Sequence, residues 1–201
     1  MVNLHSKLIK ARNAVLKILG DVHINKHFHW IPYYKPESYK IKGEIMRQLL
    51  QICKPGDILL RGYDDYLDGL LIGKWSHVGM VLNETDVIHS MAEGVFTEDI
   101  LNFFRTDRIC VLRANLSEEQ IKVVLDKASS MKGTPYDFRF DFNNPREVSC
   151  SEFGYIAFEA FETELGMFKP KEKILFKERV VVRPAAFLEY DGFKKVFEFS
   201  K

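Results

Sequence analysis

The chain is poor in cysteine, and its three thiols, Cys53, Cys110 and Cys150, form no Cys-x-x-Cys pair. An odd, scattered set argues against a disulfide framework and against a zinc–thiolate centre. A reducing compartment fits it best. The chain also lacks an excess of either charge. Its 29 basic and 28 acidic residues leave a net charge of +1, too weak a field to recruit nucleic acid. Long apolar runs are missing as well: no window reaches the roughly 18 residues that a spanning helix needs. The N-terminal stretch is broken by Lys7, Lys10, Arg12 and Lys17 and has neither an unbroken apolar segment nor a clear cleavage site, so no signal peptide is expected and the cytoplasm is the expected location. Repeats and low-complexity tracts are absent.

What remains is an ordinary globular composition. With 201 residues and 46% hydrophobic side chains, the chain fits one domain able to bury a core without covalent staples, plus a short extension. Apolar residues at helical spacing (Leu4, Leu8, Ala11, Val15, Ile18) predict a helix over 3–19, and a second helix is expected over 37–53. Pro55-Gly56-Asp57 marks a turn into a strand at 57–61. Strands follow at 75–82 and 87–91, joined through Asn83-Glu84-Thr85-Asp86 as an antiparallel hairpin. Residues 94–99 read as a turn and 98–104 as a short helix, with a strand at 108–114. Ser117 and Gln120 form a capping box that opens a helix to about residue 131. A helix over 148–166 and a strand over 193–199 close the chain. The pattern predicts an α+β domain with an antiparallel sheet packed against helices.

Ser149-Cys150-Ser151-Glu152 carries the most chemistry. Ser149 and Glu152 have capping-box spacing, which makes Cys150 the first helical residue. A thiol there sits among unpaired backbone N–H groups at the positive end of the helix dipole. Its pKa is expected to fall, and the same N–H groups can hold an oxyanion. The competing view is a small buried hydrophobe, which is the expected state of Cys53 and Cys110.

A nucleophilic thiol needs a base. His5, His23, His27 and His29 read as surface or structural groups. His77 lies in an otherwise apolar strand, where an imidazole has a cost unless it is partnered. Gly79, two residues on, leaves room for a close neighbour. His89 lies on the partner strand, so the hairpin can bring the two imidazoles side by side. Two core histidines bonded to carbonyls are the competing view.

These residues together resemble a known family. The ordered series Gly56-Asp57-Ile58, Ser76-His77-Val78-Gly79-Met80-Val81, Val87-Ile88-His89, Gly94-Val95, Gly133-Thr134-Pro135-Tyr136-Asp137 and Cys150-Ser151-Glu152-Phe153 is similar to the circularly permuted papain-like fold of the NlpC/P60 superfamily, closest to its amidase/peptidase branch. The resemblance spans roughly residues 55–199. It implies a thiol hydrolase with Cys150 as nucleophile, His77 as base and His89 as the orienting third residue. Many members of that branch have a glutamate where this chain has His89, so negative charge behind the base is missing at that position. Tyr136 and Asp137 are implied pocket-wall residues. The loop 62–69, with Tyr63, and Ser76 beside His77 are further substrate-binding candidates, and Asp64, Asp65 and Asp68 are candidates for holding a cationic group.

The expected division is an N-terminal helical extension over 1–50 and a papain-like domain over 51–201. The expected activity is cleavage of an amide in a small peptide-like or amino-acid-containing substrate, with no metal, nucleotide or redox cofactor called for. An acyltransferase or lipid hydrolase is an alternative, with Phe96, Phe103, Phe104 and Phe138 as a possible groove. A non-catalytic binding module is another. Contact of residues 3–19 with a membrane surface is permitted by their basic and apolar faces but not favoured over packing on their own domain. Oligomeric state leaves no trace in the sequence.

Overall fold

The computed structural model describes residues 39–64, 73–140, 142, 144, 146–170 and 180–200, and the backbone alone of 23–24, 32–33, 171–174 and 177–179. The helix expected over 3–19 lies outside the described residues.

Two short strands, β1 (His23–Ile24) and β2 (Pro32–Tyr33), pair with each other ahead of helix α1 (Gly43–Ile52). The central sheet follows: β3 (Ile58–Gly62), β4 (His77–Val81), β5 (Asp86–Met91), β6 (Gly94–Asp99), β7 (Arg108–Ala114) and β10 (Phe193–Phe199). Helices α2 (Ile100–Phe103), α3 (Glu118–Ser130) and α4 (Cys150–Phe158) and a two-stranded pair, β8 (Lys171–Ile174) with β9 (Lys177–Val180), complete the description. The sheet order is β10-β7-β3-β4-β5-β6, and every pairing is antiparallel.

Both faces of this sheet are covered, so its central strands read as apolar runs rather than alternating ones. Alternate residues feed two cores. Ile58, Leu60, Val78, Met80, Ile88, Cys110 and Leu112 join Val124 and Ala128 of α3 and Phe153 of α4 on one face. Leu59, Val81, Val87, Ile109 and Val111 join Ile41, Leu49, Phe103 and Phe104 on the other. We call these the α4 face and the Phe103 face.

Most strand expectations hold within a residue or two, and 108–114 and 193–199 match fully. Two do not. Residues 94–99, read as a turn, form strand β6, paired along its whole length with β5 from Met91–Gly94 to Asp86–Asp99. The turn is only Ala92-Glu93, tight enough to need Gly94 at φ 98°. The short helix after it is correspondingly reduced to Ile100–Phe103. The helix expected to reach 166 ends at Phe158 and passes into a 3-10 turn, Glu159–Phe161. Beyond it Leu165 re-enters the core, and the chain turns at Gly166 (φ 61°). Among the described residues no helix is long and apolar enough to cross a membrane.

Candidate active site

Helix α4 begins as its sequence dictates. Ser149 is the N-cap: its Oγ accepts the Glu152 N–H at 3.4 Å, and the Glu152 carboxylate accepts the Ser149 N–H at 2.7 Å. Cys150 is therefore the first helical residue, 4% exposed. The helix lies close against β4 because Gly154 has no side chain. A Cβ there would come within 2.9 Å of Phe187 Cζ and 3.1 Å of Val78 Cγ1. Ser151 Oγ donates to the Val182 carbonyl and Ser90 Oγ to the Val148 carbonyl, fixing the helix entrance from both sides.

Three groups beside the Cys150 sulfur favour its thiolate: the backbone N–H groups of Val78 and Ser151 and the Tyr136 hydroxyl. The Val78 N–H is free for this because β4 and β5 pair only from Gly79–His89 to Val81–Val87. The sulfur thus meets the sheet where these strands part, one residue along from His77. Tyr136 follows two residues tied to the fold by their carbonyls. The Thr134 carbonyl accepts the Val95 N–H and the Pro135 carbonyl accepts the Val148 N–H, both at 2.9 Å. Gly94 makes this approach possible, since a Cβ there would lie 2.5 Å from the Thr134 oxygen.

The expected fall in the Cys150 pKa is not what the structure gives. Burial pushes the thiol up from its ordinary value and outweighs the three donors, and the neighbouring Glu152 charge adds to the rise. The helix end favours the thiolate, but burial of the thiol works against it and wins. Cys53 and Cys110 behave as expected of core thiols, each pushed up to about 12, chiefly by burial.

The two histidines of the hairpin do meet. His77 Nε2 and His89 Nδ1 are 2.8 Å apart. Both lie on the Phe103 face, with ring centroids 5.8 and 5.4 Å from that of Phe103. The space left by Gly79 is filled by Phe103 and Val87, where a Cβ would fall 2.6–2.8 Å from their side chains. The close neighbour is thus a supporting ring. Cys150 makes no hydrogen bond with His77; Val78, next in sequence to His77, is what touches the sulfur.

Sequence reasoning missed two charged residues on this face. Glu98 of β6 places Oε2 3.3 Å from His89 Nε2, and Arg61 of β3 places Nη1 3.8 Å from the same oxygen. The Arg61 guanidinium also lies 4.4 Å over the Phe103 ring, with Nη2 3.3 Å from Met91 Sδ. His77 is driven well below its ordinary pKa by burial, then by Arg61 and His89. His89 is lowered by burial against the opposing pull of Glu98. Burial raises the Glu98 pKa, but the His89 contact and Arg61 reverse this and leave it below its usual value. Gly94 reads as a turn and hides Glu98; the β-branched and aromatic run Val95-Phe96-Thr97 is the strand signal available there.

The other candidates are scattered. Tyr136 reaches the nucleophile. Asp137 is fully buried, and its carboxylate accepts the Arg139 N–H at 2.7 Å. Tyr63 is half-buried beside Tyr39, their ring centroids 5.9 Å apart. Ser76 is half-buried, and its N–H donates to the Arg61 carbonyl at 3.0 Å. Asp64 pairs with Lys40 and, at 3.4 Å, with Arg108; Asp65 and Asp68 lie outside the described residues. Phe103 and Phe104 are fully buried in the core and line no open groove. A cavity of about 330 Å³ opens beside the helix entrance, bordered by Thr134, Phe142, Asn144, Glu147, Val148 and Glu152.

The sequence from residue 52 to 197 matches the profile of the permuted papain-like amidase enzymes, YaeF/YiiX, C92 family. Among solved structures, the metalloprotein yiiX from Escherichia coli O157:H7 superposes with a TM-score of 0.61 at 20% identity, covering 75% of this chain and 99% of that one. At that identity the likeness speaks for the fold. Among the described residues of this chain, no group of three or more His, Cys, Asp or Glu side chains is arranged to hold a metal ion. No curated protein matches the sequence. With a six-stranded antiparallel sheet, a cysteine at a helix entrance and a family match over most of its length, the chain belongs to the permuted papain-like amidase family and is a cysteine hydrolase of the amidase/peptidase type.

Proposed function

We propose that the protein cleaves an amide bond in a small peptide-like or amino-acid-containing substrate, with Cys150 as nucleophile, His77 as general base and His89 orienting His77. The observation that carries this reading is the setting of the sulfur. It lies at a capped helix entrance, beside the Ser151 N–H and the N–H of the residue next to His77. Burial favours the neutral thiol and the neutral imidazole at rest. The proton therefore moves as the attack occurs, rather than from a standing thiolate–imidazolium pair.

In the first step the thiol proton passes to His77 while sulfur bonds to the carbonyl carbon. The carbonyl oxygen gains the negative charge, and the Cys150 backbone N–H helps to hold it. Collapse of this adduct breaks the carbon–nitrogen bond, and His77 returns the proton to the leaving amine. Water then attacks the thioester, again with His77 as base, releasing the acid and the thiol. The cavity beside Val148 and Glu152 is the proposed substrate pocket, with Thr134, Phe142 and Asn144 of the segment expected to shape it among its walls and Tyr136 beside the sulfur. Residues 51–201 form the catalytic unit in this reading, related to the NlpC/P60 enzymes, and residues 1–50 an extension. Three unpaired cysteines support a reducing, cytoplasmic setting.

The test is a screen of aminoacyl and dipeptidyl amides with the parent protein and Cys150→Ala. Loss of turnover by about 10³-fold or more is expected in the variant. Hydrolysis by Cys150→Ala at the parental rate sinks the mechanism.

A further inference from the structure

His89 sets a neutral ring rather than a carboxylate behind His77, yet the structure does not leave the base without negative charge behind it. Strand register explains how. Gly79 pairs with His89 and Val87 with Glu98, so residues 77, 89 and 98 fall on the Phe103 face of three consecutive strands. Arg61, paired with His77 on β3, adds a fourth residue to the row. The contacts run from Arg61 Nη1 to Glu98 Oε2 (3.8 Å), from Glu98 Oε2 to His89 Nε2 (3.3 Å), and from His89 Nδ1 to His77 Nε2 (2.8 Å). The contact between Glu98 Oε2 and His89 Nε2 falls short of a well-aligned hydrogen bond, and neither atom has another hydrogen-bond partner.

We propose that Glu98 is a positioning residue that fixes the proton pattern of both imidazoles and leaves His77 Nδ1 unprotonated, ready to take the thiol proton. The inference rests on the reading of His77 as the base of Cys150. An ionised carboxylate only accepts. His89 Nε2 faces it and must carry a hydrogen. A neutral imidazole with hydrogen on Nε2 has a bare Nδ1, which must accept. The nitrogen it meets, His77 Nε2, must then donate, which leaves His77 Nδ1 bare. Reversing His89 would set a nitrogen lone pair against the carboxylate of Glu98, and reversing His77 would set two ring lone pairs against each other. Arg61 keeps that carboxylate ionised. The negative charge absent at position 89 is thus supplied one strand further out, and His89 passes its orienting effect to His77.

The experiment is long-range ¹H–¹⁵N correlation spectroscopy of the ¹⁵N-labelled full chain, which reads histidine tautomers directly, paired with the iodoacetamide labelling rate of Cys150 near neutral pH. The wild type is expected to show hydrogen on Nε2 of both His77 and His89. In Glu98→Ala a second population with hydrogen on His77 Nδ1 should appear, and labelling should slow by about tenfold or more. Glu98→Gln, whose amide oxygen still accepts from His89, should regain the wild-type tautomer and lose less rate than Glu98→Ala. Hydrogen on His77 Nδ1 in the wild type overturns the proposal without any variant, and so do unchanged tautomers in a folded Glu98→Ala. The underlying reading fails separately: His77→Ala labelled at the parental rate removes the base, whatever the tautomers show.

Discussion

The two faces of the central sheet contribute to the site in opposite ways. On the α4 face, the nucleophile is placed by contiguous sequence: Ser149 caps, Glu152 completes the box, Cys150 follows as the first helical residue and Gly154 lets the helix close on Val78. On the Phe103 face, nothing is contiguous. Arg61, His77, His89 and Glu98 come from four strands and are held in a row by register and by one ring. The first arrangement is local, and its failure modes are those of a helix end. The second is long-range, and it fails through packing.

The largest expected effect tests the ring. Phe103 is fully buried and touches Arg61, His77 and His89 at once. Phe103→Ala is expected to cost about 3–5 kcal/mol in urea unfolding. A cost under about 1 kcal/mol would show that the row stands without its support.

A pair of glycine substitutions sharpens the contrast between faces. Gly79→Ala drives a methyl against Phe103 and Val87 at under 3 Å on the relay face. Gly154→Ala meets Phe187 and Val78 slightly farther away on the nucleophile face. Both should destabilise by about 1–3 kcal/mol, with Gly79→Ala the worse. The reverse order in chemical denaturation would mean that the helix, not the relay, is the tighter fit.

That asymmetry also governs what the sequence could disclose. The cap, the cysteine and the hairpin histidines were legible because each depends on spacing within a few residues. Glu98 was not. Its role follows from β6 being a strand paired with β5, and Gly94-Val95-Phe96-Thr97 was read as a turn on the strength of its glycine. The direction of the Cys150 pKa is hidden for a related reason: a helix end announces its dipole in the sequence, whereas burial of the thiol is a property of the assembled fold.

Acid supplies the smallest of these tests. His77 and His89 both have folded-state pKa values below the ordinary 6.5. As pH falls through that value, the unfolded chain takes up protons that the buried rings refuse, so stability falls with falling pH. Urea unfolding between pH 7.5 and 5 is expected to show this decline, and His77→Gln to flatten it. An unchanged slope in the variant would place the titrating group elsewhere.

The account turns on whether His77 takes the proton of Cys150, since the resting structure links them through Val78 rather than by a bond of their own. Chemical rescue tests this most directly. His77→Ala should label Cys150 with iodoacetamide far more slowly than the parent, and added imidazole should restore the rate in proportion to its concentration. Parental labelling by His77→Ala, or a slow rate indifferent to imidazole, would contradict the account.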